Sequence, residues 1–307
     1  MDIFLQQIIN GLVQGSVYAL VALGYTMVYG ILGLINFAHG EVVMVGAMIA
    51  FTLLQTLLAA AVSPVVAILL SLLVAIVLCM ALGYGIERIA YRPLRNAPRL
   101  APLITAIGMS IVLQNLAMMI WGREYHAFPM PLGNALHEVG GAIITDVQIG
   151  IVLVALLMMS GLMIVVHRTR MGRAMRAVAE NPSAAVLMGV DINRVISSTF
   201  MLGSALAAVA GFMVSANYGI VHYYMGFMLG LKAFTAAVLG GIGNLRGAML
   251  GGVLLGLIES LGAGYVGDLT GGFLGSNYQD VFAFFVLIAV LVFRPSGLLG
   301  ERVAERA

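Results

Sequence analysis

The stretch VVAILLSLLVAIVLCMAL at residues 65–82 carries no charged side chain. About 20 mostly apolar residues, rising 1.5 Å each, cross the hydrocarbon core of a bilayer, so this run reads as the centre of a membrane helix over 65–87. Working outward from it, comparable runs occur near 7–30, 42–61, 100–120, 147–167, 196–217 and 281–293. Residues 229–264 are also apolar, but Gly240, Gly241, Gly243, Asn244, Arg246 and Gly247 interrupt them, giving two short spans or a re-entrant hairpin. The expected fold is an all-α polytopic membrane protein, a single transmembrane domain over residues 1–307 with about 8–9 spanning helices, some short or broken.

Composition points the same way. Of 307 residues, 62% are hydrophobic and 9% charged, against roughly a quarter charged in a soluble domain. So little charge cannot coat a water-facing surface, and lipid must be the solvent for much of the chain. The formal net charge of +2 gives no reason to expect nucleic acid as a partner. Cys79 is the only cysteine, which excludes an internal disulfide and a cysteine metal site. The opening MDIFLQQIINGLVQG lacks the basic segment that precedes the apolar run of a cleaved signal peptide, so the first span is expected to insert intact.

Basic residues report topology, because cytoplasmic loops collect Arg and Lys. They cluster as Arg88, Arg92, Arg95 and Arg99; as Arg168, Arg170, Arg173, Arg176 and Arg194; and as Arg294, Arg302 and Arg306. Those segments are expected inside. Loops 121–146 and 262–280 contain Arg123 as their only basic residue and are expected outside, with the N-terminus outside and the C-terminus in the cytoplasm.

Two glycine-rich segments, GILGLINFAHG at 30–40 and LGGIGNLRG at 239–247, have partly matching spacing, compatible with an internal repeat. Paired interruptions of this kind are how many transporters line a central path, since irregular backbone survives in a membrane only inside protein or beside water.

Several chemistries are not encoded. Lys232 is the only lysine and Ala233 follows it, so no GxxxxGK[ST] phosphate loop is present. The five histidines form no HExxH, and no GxSxG turn occurs. The chain is read as a non-enzyme that binds no cofactor of its own.

The most informative loop is 168–194, which holds a short helix with both ends specified. Asn181 suits the N-cap and Pro182 the first helical position. Gly189 suits the position just past the end, where positive φ stops a helix. Asp191 suits the cap of the following span. Ser183 to Met188, including Val186 and Leu187, is apolar for a cytoplasmic loop and too short to hold itself together. Either it folds back on the chain or into the headgroup layer, or it is a coupling helix docked on an ATPase, with Arg173 and Arg176 supplying charge at the rim.

In NFAHGE at 36–41, Asn36, His39 and Glu41 end a long apolar run. Polar groups at membrane depth are costly unless enclosed by protein or water. The segment is either a cap and turn near the cytoplasmic surface or part of a pathway or gate, for which Asn244 in the second glycine-rich segment is also a candidate. Glu259 and Lys232 are read as snorkelling near outer helix ends. The methionines, among them Met225 and Met228, are read as filler, and Tyr218, Tyr223 and Tyr224 as an aromatic belt or a contact for a docking protein.

Five blocks in order, SVYALVALGYTMVYGILGLINFAHGE (16–41), IERIAYRPLR (86–95), RMGRAMRAVAENPSAAVLMGVDINRVI (170–196), KAFTAAVLGGIGNLRGAMLGG (232–252) and RPSGLLG (294–300), resemble the LivH type of branched-chain amino acid permease. The resemblance implies a bacterial inner-membrane subunit of an ATP-driven importer, moving Leu, Ile or Val inward. It implies a second homologous permease, two cytoplasmic ATPase subunits that use the ATP, and a periplasmic amino-acid-binding protein. Relatives of this type also carry other amino acids, urea or short amides. An ion-coupled carrier, with Glu41, His39 or Glu259 relaying protons, is the alternative from another class.

Overall fold

The computed structural model describes residues 2–95, 97–98, 100–269, 278–294 and 296–300. Arg99, Arg302 and Arg306 of the basic clusters, and residues 270–277 of the expected outer loop, lie outside the described residues. Most of the described residues are helical: α1 (Asp2–Leu32), α2 (His39–Ala59), α3 (Pro64–Ile86), α4 (Leu100–Trp121), α5 (Asp146–Arg168), α6 (Arg170–Glu180), α7 (Pro182–Leu187), α8 (Ile192–Tyr218), α9 (Met225–Gly240), α10 (Leu245–Leu269) and α11 (Gln279–Phe293). Seven of these helices are long and apolar enough to cross a bilayer, and α9 and α11 are shorter apolar helices. The interrupted region is therefore a helix–turn–helix, and α10 extends to Leu269, past the point where the sequence pattern places a loop.

Burial is inverted relative to a water-soluble bundle. The most apolar span, containing α3, has mean hydropathy 3.2 yet is 22% buried, whereas the α1 span, at 1.5, is 78% buried. Apolar faces turned outward to lipid and less apolar surfaces turned inward are what a bilayer solvent selects. Helix α1 is the central post, packed against α8, α9 and α10.

Small residues let these helices approach. The inward stripe of α3 is Ala67, Ser71, Ala75, Cys79 and Gly83, one residue per turn. Between α1 and α10, Gly15 meets Gly256 and Ala19 meets Gly252 so closely that a methyl group at either glycine would strike the opposite backbone. These are small-xxx-small pairings on both partners.

The ends of the bundle differ in kind. At one end, β1 (His126–Ala127) pairs with β4 (Ile220–Val221), and β2 (Leu136–Val139) forms a hairpin with β3 (Ala142–Thr145). Gly140 and Gly141, both at positive φ, make its two-residue turn. The arginine-bearing segments 88–95 and 168–194 meet at the other end, where Arg95 donates to Asn193 at 2.7 Å.

Candidate functional site

The short helix of the 168–194 loop forms as its sequence dictates. The Asn181 side chain accepts from the Ala184 N–H at 3.0 Å, Pro182 opens the helix, and Gly189 stands at φ +81° just beyond it. Asp191 then caps α8, accepting from the N–H groups of Asn193 and Arg194. Ala185 alone of α7 is buried, in a small core with Met175 and Val178 of α6 and Val195 of α8. Val186, Leu187 and Met188 are exposed, Leu187 by 87% and Met188 by 84%. Folding back on the chain thus covers one face of α7 and leaves its larger apolar side chains uncovered.

The two arginines assigned to this platform separate. Arg173 is exposed. Arg176 instead donates to the Val166 carbonyl near the end of α5, satisfying an acceptor that a helix terminus leaves free.

The NFAHGE segment is not a turn at the surface of the bundle. Glu41 accepts from Ser110 at 3.1 Å and from Gln114 at 2.6 Å, both near the middle of α4. Farther along α2, Thr52 accepts from Trp121 at the end of α4. The break between α1 and α2 therefore lies part-way along the bundle. His39 packs edge-on to Tyr25, with ring centroids 4.9 Å apart, and its Nε2 is buried with no partner among the described residues. Gly40 abuts Gly226 and Gly230 of α9, an approach that leaves no room for a side chain. Asn36 shapes the turn itself, its Oδ1 accepting from the Ala38 N–H at 3.1 Å and the Tyr91 hydroxyl at 2.8 Å.

Tyr91 belongs to a feature the sequence reading missed. Beyond α3 the chain winds into a π-helical turn, Glu87–Tyr91, and a 3₁₀ turn, Arg92–Leu94. Single π-helical turns are frequent at functional sites. Glu87 is fully buried there: one carboxylate oxygen meets Arg92 at 3.4 Å and also Arg95, and the other accepts from Ser197 of α8 at 2.7 Å. A continuous set of contacts thus runs from α7, through the cap and first turns of α8, to the π-turn and from there to Asn36.

Asn244 lies apart from this set. It caps α10, accepting from the Gly247 N–H at 3.1 Å, and donates to the Leu299 carbonyl at 2.9 Å, pinning segment 296–300 against the α9–α10 turn. The two glycine-rich segments share a helix–turn–helix form with an asparagine in the turn, but their asparagines bond differently.

Snorkelling is the wrong description of Glu259 and Lys232. Glu259 is fully buried, accepting from Tyr18 at 2.8 Å, Gln14 at 3.0 Å and Lys232 at 3.3 Å, and Lys232 also reaches Asp280 at 2.5 Å. Four helices, α1, α9, α10 and α11, converge on this cluster. Hydropathy profiles show single charges in apolar runs and cannot show that two of them meet.

Comparison with known proteins completes the picture. A family model described as the permease component of branched-chain amino acid transport systems matches residues 7–291. The high-affinity branched-chain amino acid transport system permease protein BraD of Pseudomonas aeruginosa is 49% identical over 99% of this chain and 98% of its own length. The corresponding LivH proteins of Escherichia coli and Salmonella typhimurium are 47% and 46% identical, each over 99% of this chain and 97% of theirs. No solved structure matches the chain. With spans, break and basic platform in place and relatives matched from end to end, the chain belongs to the family of permease components of branched-chain amino acid transport systems.

Proposed function

We propose that this chain is the membrane permease subunit of an ATP-driven importer that moves leucine, isoleucine and valine into the cytoplasm. The observation that carries the reading is end-to-end similarity to branched-chain amino acid permeases, 49% over 99% of the chain for BraD. In a bacterial inner membrane the basic end of the bundle faces the cytoplasm, the N-terminus lies in the periplasm and the C-terminus inside. A second homologous permease completes the path, two ATPase subunits supply the energy, and a periplasmic protein delivers the amino acid.

The platform 168–194 is the cytoplasmic coupling loop. Val186, Leu187 and Met188 fill a groove on an ATPase, with Arg173 at the rim and Arg176 bracing α6 against α5. Asn181, Pro182 and Gly189 keep α7 a single rigid peg. Closure of the ATPases displaces that peg, and α8 carries the movement to Glu87 and the π-turn. Tyr91 passes it to Asn36, so that the break preceding His39 and Glu41 serves as the gate, a bistable element biased from both membrane faces. Asn244 serves as the hinge of the α9–α10 turn rather than as lining.

A solitary ion-coupled carrier is the weaker reading. Among the described residues no hydrogen bond joins Glu41 to His39 or to Glu259, and an exposed apolar peg has no task in such a carrier.

The test is uptake of labelled leucine, with urea and a polar amino acid as comparators, in a host lacking its own system. Uptake that requires every partner and ATP is expected. Uptake by this chain alone contradicts the importer, and entry of urea or the polar amino acid alone contradicts the substrate.

A further inference from the structure

The spans of this chain fall into two groups, and α4 fits neither. Those of α1, α2, α8 and α10 have mean hydropathy between 1.5 and 2.2 and are 33–78% buried. Those of α3 and α5 are 22% and 28% buried, but at 3.2 and 2.9 they are apolar enough to suit lipid. The α4 span, at only 1.9, is 17% buried, the least of all seven. It packs chiefly against α2 and the π-turn, and the rest of its surface is uncovered.

That uncovered surface holds a polar group that lipid cannot serve. Asn115 is exposed, and by the 1.5 Å rise per residue it lies about 9 Å short of the helix end at Trp121, too deep for so short a side chain to snorkel. Its Nδ2 donates to the Ile111 carbonyl at 2.8 Å, one turn back towards the middle of the span. Its Oδ1 accepts no hydrogen bond among the described residues. In hydrocarbon an amide left in this state is costly, and asparagine is one of the side chains that bond across membrane helices. Ala101 and Gly108 precede Asn115 at seven-residue intervals, with Ile104, Ile111 and Met118 in the intervening positions that complete a coiled-coil seam. A methyl group added at Gly108 would meet nothing in this chain, so that seam carries an open notch.

Whatever covers this face must reach hydrocarbon depth and offer a hydrogen-bonding side chain. Lipid tails fail the second requirement, and a soluble ATPase or periplasmic protein fails the first. We propose that the 101–118 face of α4 is the contact for a helix of the second permease, with Asn115 hydrogen-bonded to a polar side chain of that helix. This rests on the reading of the chain as one of a pair of permeases in an importer. The contact also ties the partner to the gate. Gln114, beside Asn115, donates to Glu41 at 2.6 Å, so the same turn of α4 holds the start of α2 on one side and the partner on the other.

The experiment uses the complete transporter, both permeases and both ATPases, in native membranes, with photoreactive benzoylphenylalanine replacing Ile111. Illumination is expected to join this chain to the second permease, identified by mass spectrometry, whereas the same residue replacing Leu157, exposed on α5, is expected to give no such product. Ile104, on the same face as Ile111, takes its place if the first variant fails to insert. Asn115→Leu should lower the amount of second permease that co-purifies several-fold, and Asn115→Gln should restore most of it. No cross-link from the α4 face, a cross-link to another copy of this chain, or wild-type co-purification of Asn115→Leu overturns the proposal. The wild-type preparation is assayed for ATP-driven leucine uptake with the external protein added. Uptake without the cross-link sinks this contact alone, whereas no uptake at all sinks the permease reading beneath it.

Discussion

The 168–194 platform and the buried polar clusters are both made of a few charged and polar residues, but they are specified in opposite ways. In the platform, Asn181, Pro182, Gly189 and Asp191 act on backbone groups no more than a few residues away, so the sequence spacing is the structure. In the interior, Glu41, Glu87 and Glu259 are held by partners from distant helices: Ser110 and Gln114, Ser197, and Lys232 with Tyr18. The platform can therefore be altered without unfolding the protein, whereas the interior clusters are joints of the bundle.

That contrast is open to attack from its strongest end. Glu87→Ala strands two arginines and a serine around an empty site, and removing one partner of a buried ion pair costs about 3–5 kcal/mol. The expected result is a clear loss of thermal stability and of assembled transporter, read by melting of the purified protein. A wild-type melting profile would mean that the π-turn is not a joint.

Gly226→Val pushes a branched side chain into the backbone of Gly40, where overpacking costs about 1–3 kcal/mol. Reduced stability and uptake are expected together, because the collision falls where α9 braces the start of α2.

Gly189→Val places a β-branched residue where φ is +81°. The strain, about 1–3 kcal/mol, is taken up by fraying of the six-residue α7 rather than by the bundle. Uptake should fall several-fold with membrane insertion and melting unchanged.

The smallest structural effect is expected from Leu187→Ser, since surface changes usually stay within about 0.5 kcal/mol. ATPase attachment should nevertheless weaken, measurable as subunits lost during purification. Full retention would return α7 to being a structural turn.

How much could be read in advance follows the same division. The spans were legible because a bilayer demands long apolar runs whatever their neighbours do. The α7 caps were legible because capping is local. The depth of the NFAHGE break was not, since nothing in those residues says that Glu41 will meet Gln114 half-way along another helix. Glu259 and Lys232 misled because a lone charge in an apolar run looks like a snorkelling one until its partner is seen. Two signals were present and unused: the Gly11–Gly15 and Gly252–Gly256 spacings, which mark the α1–α10 contact, and Gly140–Gly141, which marks the hairpin. The π-turn had no such signal, because the partners of Glu87 and Tyr91 that surround it, Ser197 and Asn36, are far away in the sequence.

The claim that links the two regions is that movement of α7 reaches the break through the Tyr91 hydroxyl on Asn36. Its most direct test counts ATP hydrolysed and leucine imported in the same proteoliposomes, comparing the wild-type transporter with Tyr91→Phe, which deletes that one 2.8 Å hydrogen bond. The account predicts ATP hydrolysis near the wild-type rate with several-fold less leucine moved per ATP. An unchanged ratio would contradict it.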